Sequence, residues 1–325
     1  MKKLLLPVGL LLLLTIAGCS STSASKSNII PIYTPPAGGS HYILAAGLTK
    51  IIKDADVMPD TVFSVQATSD EPSKIQKVID GYEKSEPVFA IMASYGPDEA
   101  YQKGSFDNVK GDTTVLRAVG YAEGAPIHIV VPKDSPIQTY ADLKGKTIGV
   151  FPGSAPEAMF KEILEVGYGY TEKDYKILPY DYQEVQQGIQ DKSIEAGMLM
   201  GPIPSTLVRE LQANEDVRVI SVDDDVIEKY MEYKPGTIIS TIEPGVYKND
   251  EELKIPFVPG YIFTHENTDE ELVYEIVKTM LENPEKMGAI HPTAKNINPE
   301  SIRKGVGIPF HPGAEKYFEE KGITE

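Results

Sequence analysis

Cysteine is almost absent from this 325-residue chain, in which Cys19 is the only one. A single cysteine excludes a disulfide within the chain and any metal site made of several cysteines. Histidine is scarce as well: the chain has five, and no two of them have the spacing of a metal-binding pair. The sequence therefore predicts neither a bound metal nor a cofactor.

Basic residues are also in deficit. The chain has 31 Lys and Arg against 48 Asp and Glu, which gives a formal net charge of −17. Nucleic acids and anionic lipid surfaces are bound through basic patches, so this balance argues against both as partners. The excess of acidic residues mainly favours solubility.

The common catalytic motifs are missing too. The sequence contains no Gly-x-Ser-x-Gly elbow, no Walker phosphate loop, no His-Glu-x-x-His and no complete Gly-x-Gly-x-x-Gly. Each of these motifs places reactive groups or phosphate-binding amides at a fixed spacing. We therefore expect a protein that is not an enzyme. An enzyme is the less favoured alternative, because catalytic residues distant in sequence can meet in the fold.

The N-terminus has the pattern of an export signal. Lys2 and Lys3 precede an apolar run from Leu4 to Ile16. This run is too short to span a bilayer comfortably, but it fits a secretory signal. The segment that follows, Ile16-Ala17-Gly18-Cys19, resembles a bacterial lipobox, in which the cysteine receives a lipid.

Three features are predicted from this pattern. Residues 1–18 are expected to be a signal peptide cleaved before Cys19, and residues 19–28 a Ser-rich flexible tether. Lipidation of Cys19 would anchor the protein to the extracytoplasmic face of a bacterial membrane, in the periplasm or at the cell surface. Loss of Lys2 and Lys3 makes the remaining chain more negative by two charges.

One strand–turn–helix unit organises the middle of the chain. Thr147–Val150 is an apolar strand, and a short turn leads from it into a helix with apolar residues at helical spacing. Ser154 suits the N-cap position of that helix. A helix start offers free amide groups and the positive end of the helix dipole, although many such units bind nothing. The residues expected to contact an anion here are Pro152, Gly153, Ser154 and Ala155.

Three further loops follow predicted strands. The loop after the strand Asn28–Tyr33 is rich in glycine, which lets backbone approach a ligand closely. Its candidate contacts are Thr34, Ala37, Gly38, Gly39, Ser40, His41 and Tyr42. The loops after the strands Val88–Met92 and Ala196–Met200 contribute Ser94, Tyr95, Met200, Gly201 and Pro202. His128 lies in an apolar strand and is either a core histidine or a ligand contact.

Strands alternate with helices along most of the chain, including separate strands at Leu116–Tyr121 and Ile127–Val131. This alternation predicts an α/β protein with parallel sheets covered on both faces. Residues 29–125 plus 241–325 form one predicted lobe, with a mainly helical tail, and residues 126–240 form the other. Ligands of open α/β sheets lie beyond the carboxyl ends of the strands, so the candidate loops are expected to face one cleft. Hinges are expected near Ala125–Pro126 and Ser240–Thr241.

Several segments, taken in order, resemble a known family. One stretch, Asp142–Val150 followed by Pro152-Gly153-Ser154, resembles the second-lobe entry of several bacterial solute-binding proteins. The more specific segments are Val65-Gln66-Ala67-Thr68, Leu116-Arg117-Ala118, Pro126–Val131, Lys133-Asp134-Ser135, Val222-Asp223-Asp224, His291–Lys295 and Ile308–Ala314 with Tyr317. The chain is similar in these segments to the TAXI family, the extracytoplasmic solute receptors of tripartite ATP-independent periplasmic (TRAP) transporters. No single segment is decisive, but their ordered occurrence is specific.

The resemblance implies a two-lobed periplasmic-binding-protein fold (type II-like), a monomer without catalysis, and a small anionic solute such as a dicarboxylate or a glutamate-like compound. The solute would be delivered to TRAP transporter membrane subunits. Two departures bear on the ligand: Pro35 and Pro36 stiffen the first loop, and Ala93-Ser94-Tyr95 stands where the family often has Gln-Ser-Asp. A binding protein of an ABC-type importer is the main alternative, and a sensor or adhesin with the same fold is another.

Overall fold

The structure is a computed structural model that describes residues 28–324 except positions 36, 38, 39, 69, 153, 235 and 236. The predicted signal peptide, Cys19 and nearly all of the predicted tether lie outside the described residues, as do Gly38, Gly39 and Gly153. None of the helices in the described ranges is long and apolar enough to cross a membrane.

Three strand–helix units open the described chain. They are β1 (Asn28–Thr34), α1 (Ser40–Ala55), β2 (Thr61–Ala67), α2 (Glu71–Lys84), β3 (Phe89–Ala93) and α3 (Tyr95–Lys103). β1 pairs in parallel with β2 and β3, and the part of the molecule around these strands is called lobe 1. Its core includes Leu44 and Leu48 of α1 beside Ile30 and Ile32 of β1. Each leucine buried in this way contributes roughly 1.5–3 kcal/mol.

A long strand, β4 (Leu116–Pro132), leads into a second set of units, called lobe 2. They are β5 (Thr147–Val150), α4 (Ala155–Tyr168), β6 (Lys176–Pro179), α5 (Tyr182–Gln190), β7 (Ala196–Met200), α6 (Thr206–Asn214), β8 (Val217–Ile220) and α7 (Asp224–Tyr233). β5 pairs in parallel with β6 and β7. Lobe 2 has its own core, in which Ile148 of β5 and Phe160 of α4 are fully buried together with Tyr230 of α7.

The tail contains, besides its helices, two strands that were not predicted. Its elements are β9 (Ile238–Ile242), β10 (Leu253–His265), α8 (Glu270–Glu282), α9 (Pro284–Ile290) and α10 (Pro312–Lys321). Short 3-10 helices occur at Thr113–Val115, Tyr140–Leu143 and Pro292–Asn296. The tail helices return to lobe 1, because Val273, Met287 and Phe318 belong to the same buried core as α1.

The strands within the described residues form one mixed sheet in the order β2-β1-β3-β10-β4-β7-β5-β6, with β8 beside β4 and β9 beside β10. β10 is antiparallel to β3, β4 and β9, and β4 is antiparallel to β7 and β8. The expected parallel pairing is therefore confirmed among β1, β2 and β3 and among β5, β6 and β7. It is wrong at the centre of the sheet, where β4 and β10 are antiparallel. The two strands predicted at Leu116–Tyr121 and Ile127–Val131 are one strand, β4, because the chain continues straight from one lobe into the other.

Two strands, β4 and β10, cross between the lobes. β4 pairs with β10 as far as Pro126 and with β7 from Ile127 onward. β10 pairs with β9 as far as Phe257 and with β3 from Gly260 onward. The Ala125–Pro126 step, where a hinge is expected, thus lies where β4 changes partners.

The return strand β10 contains Pro256 and Pro259, and proline is disfavoured inside central strands because it has no N–H to donate. Here the prolines lie close to the change of partners, and the ladder to β4 shifts register between Gly260 and Tyr261. The second expected hinge, Ser240–Thr241, lies inside β9, one strand before the chain returns to lobe 1.

Candidate functional site

A small cavity of about 50 Å³ lies between the lobes. Lobe 1 lines it with the first turns of α3, lobe 2 lines it with α4 and the end of α7, and β10 and the segment Gly305–Gly307 complete the wall. Pockets that hold small molecules usually measure roughly 300–1,000 Å³. The lobes therefore pack closely against each other in this structure and leave less space between them than such a pocket needs.

The first turn of α3 is fixed against β10. The Ser94 N–H donates to the Pro259 carbonyl at 2.8 Å, and the Asp98 N–H donates to the Ser94 carbonyl at 3.0 Å. Pro97 fits the first turn because its missing N–H would have no partner inside the helix. This arrangement brings Ser94, Tyr95 and Asp98 to the cavity.

Asp98 is a buried acid in the cavity wall, with 7% of its surface exposed. Its Oδ1 accepts hydrogen bonds from the Tyr261 hydroxyl and, at 3.1 Å, from the Gly307 N–H. Burial raises the pKa of Asp98 to about 6, although hydrogen bonds from Tyr261, Gly307 and Ser94 oppose the rise. A Cβ on Gly307 would lie 2.6 Å from the Asp98 carboxyl carbon, so this close approach needs glycine.

Four side chains meet at the boundary of the two lobes. The Tyr95 hydroxyl of lobe 1 donates to Glu162 Oε1 of α4 at 3.0 Å. The Tyr230 hydroxyl and the Lys234 Nζ, both from lobe 2, donate to Glu162 Oε2 at 2.7 and 3.2 Å. Lys234 Nζ also lies 4.0 Å from the centre of the Tyr95 ring, within the range of a cation–π contact. Burial and the Glu162 charge raise the pKa of both tyrosines, so both remain protonated donors.

A second buried polar group lies where α1 meets β4 and β10. Glu123 Oε2 and His41 Nε2 are buried and have no hydrogen-bond partner among the described residues. Burial raises the pKa of Glu123, against hydrogen bonds from Ser40 and Thr293. Burial also lowers the pKa of His41 to about 4. Gly260 makes room for the imidazole, because a Cβ there would lie 2.6 Å from Nε2.

The structure brings three of the predicted contact residues, Ser94, Tyr95 and Ala155, to the interlobe cavity. Ser40 and His41 lie instead in the group around Glu123. Other residues of the first loop do not line the cavity in the part of the chain that is described. Thr34 is buried and donates to the Pro35 carbonyl at 3.0 Å, Ala37 is exposed and Tyr42 is half-buried.

Ser154 is the N-cap of α4, as predicted. Its hydroxyl oxygen accepts from the Glu157 N–H at 3.3 Å, and the hydroxyl donates to the Phe151 carbonyl at 2.7 Å. Pro152 beside it is exposed. Both hydrogen-bonding roles of the Ser154 hydroxyl are therefore filled from within the protein in the closed structure.

The loop after β7 and His128 lie away from the described cavity lining. The Gly201 N–H donates to the Pro126 carbonyl at 3.4 Å, Met200 is half-buried and Pro202 is exposed. His128 is fully buried, and its Nε2 lies 3.1 Å from the Tyr247 hydroxyl. Burial lowers the pKa of His128 to about 4.

Sequence reasoning missed Asp98, Glu162, Tyr230 and Lys234. Asp98 could have been predicted from its position, because it lies in the first helical turn after a buried strand, close to the predicted Ser94 and Tyr95. Glu162 and Lys234 are 72 positions apart. They meet only because α4 and α7 pack together, which no local pattern indicates.

A model of the NMT1-like family matches residues 32–322. Among solved structures, XAC2383 from Xanthomonas citri bound to ATP is similar at 11% identity, with 92% of this chain and 100% of that chain covered and a TM-score of 0.54. A protein from Bordetella bronchiseptica RB50 is similar at 14% identity, with 91% and 99% covered and a TM-score of 0.50. The periplasmic aliphatic sulphonate binding protein SsuA from Escherichia coli is similar at 13% identity, with 90% and 78% covered and a TM-score of 0.46.

Proposed function

This chain belongs to the NMT1-like family, and from that premise we propose that it is an extracytoplasmic receptor for a small solute that carries a carboxylate. The receptor would be held at the membrane by a lipid on Cys19 and would deliver its solute to the membrane subunits of a TRAP transporter. The two-lobed fold of periplasmic solute-binding proteins supports a role in solute capture.

The observation that carries the proposal is the cavity with one wall from each lobe, next to two strands that change partners between the lobes. Rotation about these strands, near Ala125–Pro126 and Phe257–Gly260, would open the cavity to solvent, and closure would bury a solute. Hinge closure around a ligand is a known mode of motion in binding proteins.

The preference for a carboxylate rests on the donors around Glu162. Two hydroxyls and one ammonium, from Tyr95, Tyr230 and Lys234, converge on a single carboxylate. The same three donors line the cavity. When the lobes separate, the Tyr95 hydroxyl leaves Glu162, whereas Tyr230 and Lys234 remain beside it on lobe 2. A solute carboxylate would then bind these donors by displacing the Glu162 side chain. Ser94 and the amides at the start of α4 are proposed as further contacts.

The test is a ligand screen followed by one matched pair of variants. Thermal shift against dicarboxylates and amino acids identifies the solute, and calorimetric titration measures its affinity. Lys234→Met should weaken binding about tenfold to a hundredfold, because a hydrogen bond between charged groups contributes about 1.5–3 kcal/mol. Lys229→Met, at an exposed position of the same helix, is the control. Equal affinity of the wild-type protein and Lys234→Met for the identified solute would overturn the carboxylate assignment.

The transporter partner has a separate test. A gene for a large fused membrane permease beside this one supports a TRAP partner, whereas genes for an ATPase and a permease support an ABC-type importer.

Small-angle scattering tests the capture of the solute directly, because the radius of gyration should fall when the solute binds. A solute bound tightly with no change in the radius of gyration would contradict closure between the lobes.

A further inference from the structure

Asp98 is a carboxylate in the cavity wall that lacks a cationic partner. The hydrogen-bond donors at its side chain are the Tyr261 hydroxyl, the Gly307 N–H and the Ser94 hydroxyl, all of them neutral. None of the ion pairs found among the described residues includes Asp98. Lys234 acts on it only as a nearby charge and is itself engaged by Glu162.

Such an arrangement costs free energy when Asp98 is ionised, unless a positive charge arrives from outside. Ionised carboxylates are almost always paired or bound to a cation when they are buried, because removal from water is expensive. A carboxylate also offers roughly four acceptor positions, and the three neutral donors around Asp98 do not fill them. The free capacity lies on a residue that lines the cavity.

The two walls of the cavity differ in charge. Asp98 and Tyr95 come from lobe 1, and Lys234 and Tyr230 come from lobe 2. Tyr95, Tyr230 and Phe257 also line the cavity, and aromatic rings attract cations. A solute that spans the cavity therefore meets the acid of Asp98 on lobe 1 and the ammonium group of Lys234 on lobe 2.

We propose that Asp98 binds a positively charged nitrogen of the solute, so that this receptor recognises a zwitterionic molecule through Asp98 on one wall and Lys234 on the other. The proposal rests on the function proposed above and refines it, since it separates solutes with an ammonium or amidinium group from simple dicarboxylates. Asp98 then acts as the specificity-determining residue of lobe 1.

The test uses pairs of probes that differ only by an ammonium group: glutarate against L-glutamate, and succinate against L-aspartate. Putrescine and choline are the cations without a carboxylate. Titration calorimetry is carried out on the wild-type protein, on Asp98→Asn and on Asp107→Asn, an exposed control acid. We expect the wild type and Asp107→Asn to favour the ammonium-bearing member at least tenfold, and Asp98→Asn to lose that preference.

A structural role for Asp98 is distinguished by Tyr261→Phe. This variant removes a hydrogen-bond donor but keeps the carboxylate, so it should retain the ammonium preference even if it melts earlier. Equal binding of both members of each pair by the wild type, or a preference that survives Asp98→Asn, overturns the proposal. Binding of putrescine or choline alone supports Asp98 but contradicts the carboxylate assignment. Binding of the dicarboxylates alone supports the carboxylate assignment but contradicts the role of Asp98. Binding of none of the six probes counts against both the carboxylate assignment and the role of Asp98.

Discussion

The Tyr95 hydroxyl lies 3.0 Å from Glu162, and this hydrogen bond joins lobe 1 to lobe 2. The other donors to Glu162, Tyr230 and Lys234, belong to lobe 2 itself. Lys234 also lies over the Tyr95 ring, so two contacts of one tyrosine connect the lobes. Tyr95 and Glu162 together form a latch that favours the closed cleft.

Tyr95→Phe tests the latch. The variant keeps the ring beside Lys234 and removes the hydroxyl, so it loses one hydrogen bond to a charged group, which contributes about 1.5–3 kcal/mol. Because the Glu162 side chain is 21% exposed, solvent reduces that figure toward its lower end. We expect the ligand-free variant to open more often, which small-angle scattering detects as a larger radius of gyration. Solute affinity should fall as well, because Tyr95 is one of the donors proposed for the solute carboxylate.

Tyr230→Phe is the matched control for the latch. Its hydroxyl bonds the same carboxylate at 2.7 Å, but from within lobe 2. Loss of this bond should lower the stability of lobe 2 without opening the cleft. A Tyr95→Phe protein as compact as the wild type, or a Tyr230→Phe protein that opens equally, would contradict the latch.

The latch shows how far the sequence could predict this site. Tyr95 was a candidate because it follows a buried strand, and loops in that position lie at the carboxyl edge of a sheet. Its partner Glu162 is 67 positions away and is one of several polar residues on α4. Their contact depends on how closely the two lobes approach, and single-sequence patterns carry no information on that distance.

The centre of the sheet was harder to predict for a different reason. Most of the alternating strands and helices on either side were recognisable, since each has a local apolar pattern. β10 was not predicted because proline is disfavoured inside a central strand, and the segment contains Pro256 and Pro259. The strand tolerates them because it exchanges β9 for β3 at that point, which is a property of the whole sheet.

Asp98 should make the stability of the protein depend on pH. Its pKa rises from about 4 in the unfolded chain to about 6 in the folded one, with Tyr261, Ser94 and Lys234 opposing the effect of burial. The stabilisation from protonated Asp98 is complete below pH 4 and is lost as the pH rises through 6. A shift of about two pKa units corresponds to about 3 kcal/mol.

Asp98→Asn removes this dependence while it keeps an acceptor for Tyr261 and Gly307. We therefore expect the stability of the variant relative to the wild type to increase by about 2 kcal/mol of unfolding free energy between pH 4.5 and pH 7.5. Urea unfolding at the two pH values measures it. Parallel stability curves for the two proteins would show that Asp98 ionises normally in the folded state.

His128 should have the opposite dependence. Burial lowers its pKa from 6.5 to about 4, so its stabilising effect is present above pH 6.5 and is lost as the pH falls through 4. His128→Asn should therefore be less sensitive to acid than the wild type, by up to about 3 kcal/mol between pH 7 and pH 4. Tyr247→Phe, which removes the hydroxyl 3.1 Å from Nε2 but keeps the imidazole, should retain the sensitivity. An acid response in His128→Asn as steep as that of the wild type would exclude His128 as its source.

The lipid anchor is tested by Cys19→Ala. Because Cys19 is the only cysteine, it alone can carry the thioether-linked lipid that the lipobox pattern predicts. We expect the variant either to remain as uncleaved precursor or to leave the membrane fraction. Metabolic labelling with a fatty acid followed by fractionation measures both outcomes. Labelling of the variant equal to that of the wild type would disprove lipidation at this residue.

Ser154 combines a confirmed structural role with a proposed binding role, and two variants separate them. Ser154→Ala removes the cap of α4 and should cost about 0.5–2 kcal/mol in unfolding free energy. Ser154→Asp keeps a capping side chain, since aspartate is as good an N-cap as serine, but it places a negative charge where a solute carboxylate would bind. Thermal melting without the solute measures the effect on the helix cap. Calorimetric titration with the solute measures the effect on binding.

If the start of α4 binds the solute carboxylate, Ser154→Asp should melt close to the wild type and yet bind the solute at least tenfold more weakly. The hydroxyl already bonds Phe151 and Glu157 in the closed structure. Contact with a solute would therefore have to replace the bond to Phe151. Should both variants bind with the affinity of the wild type, Ser154 is a helix cap alone, and the carboxylate is held by Lys234 and the tyrosines across the cleft.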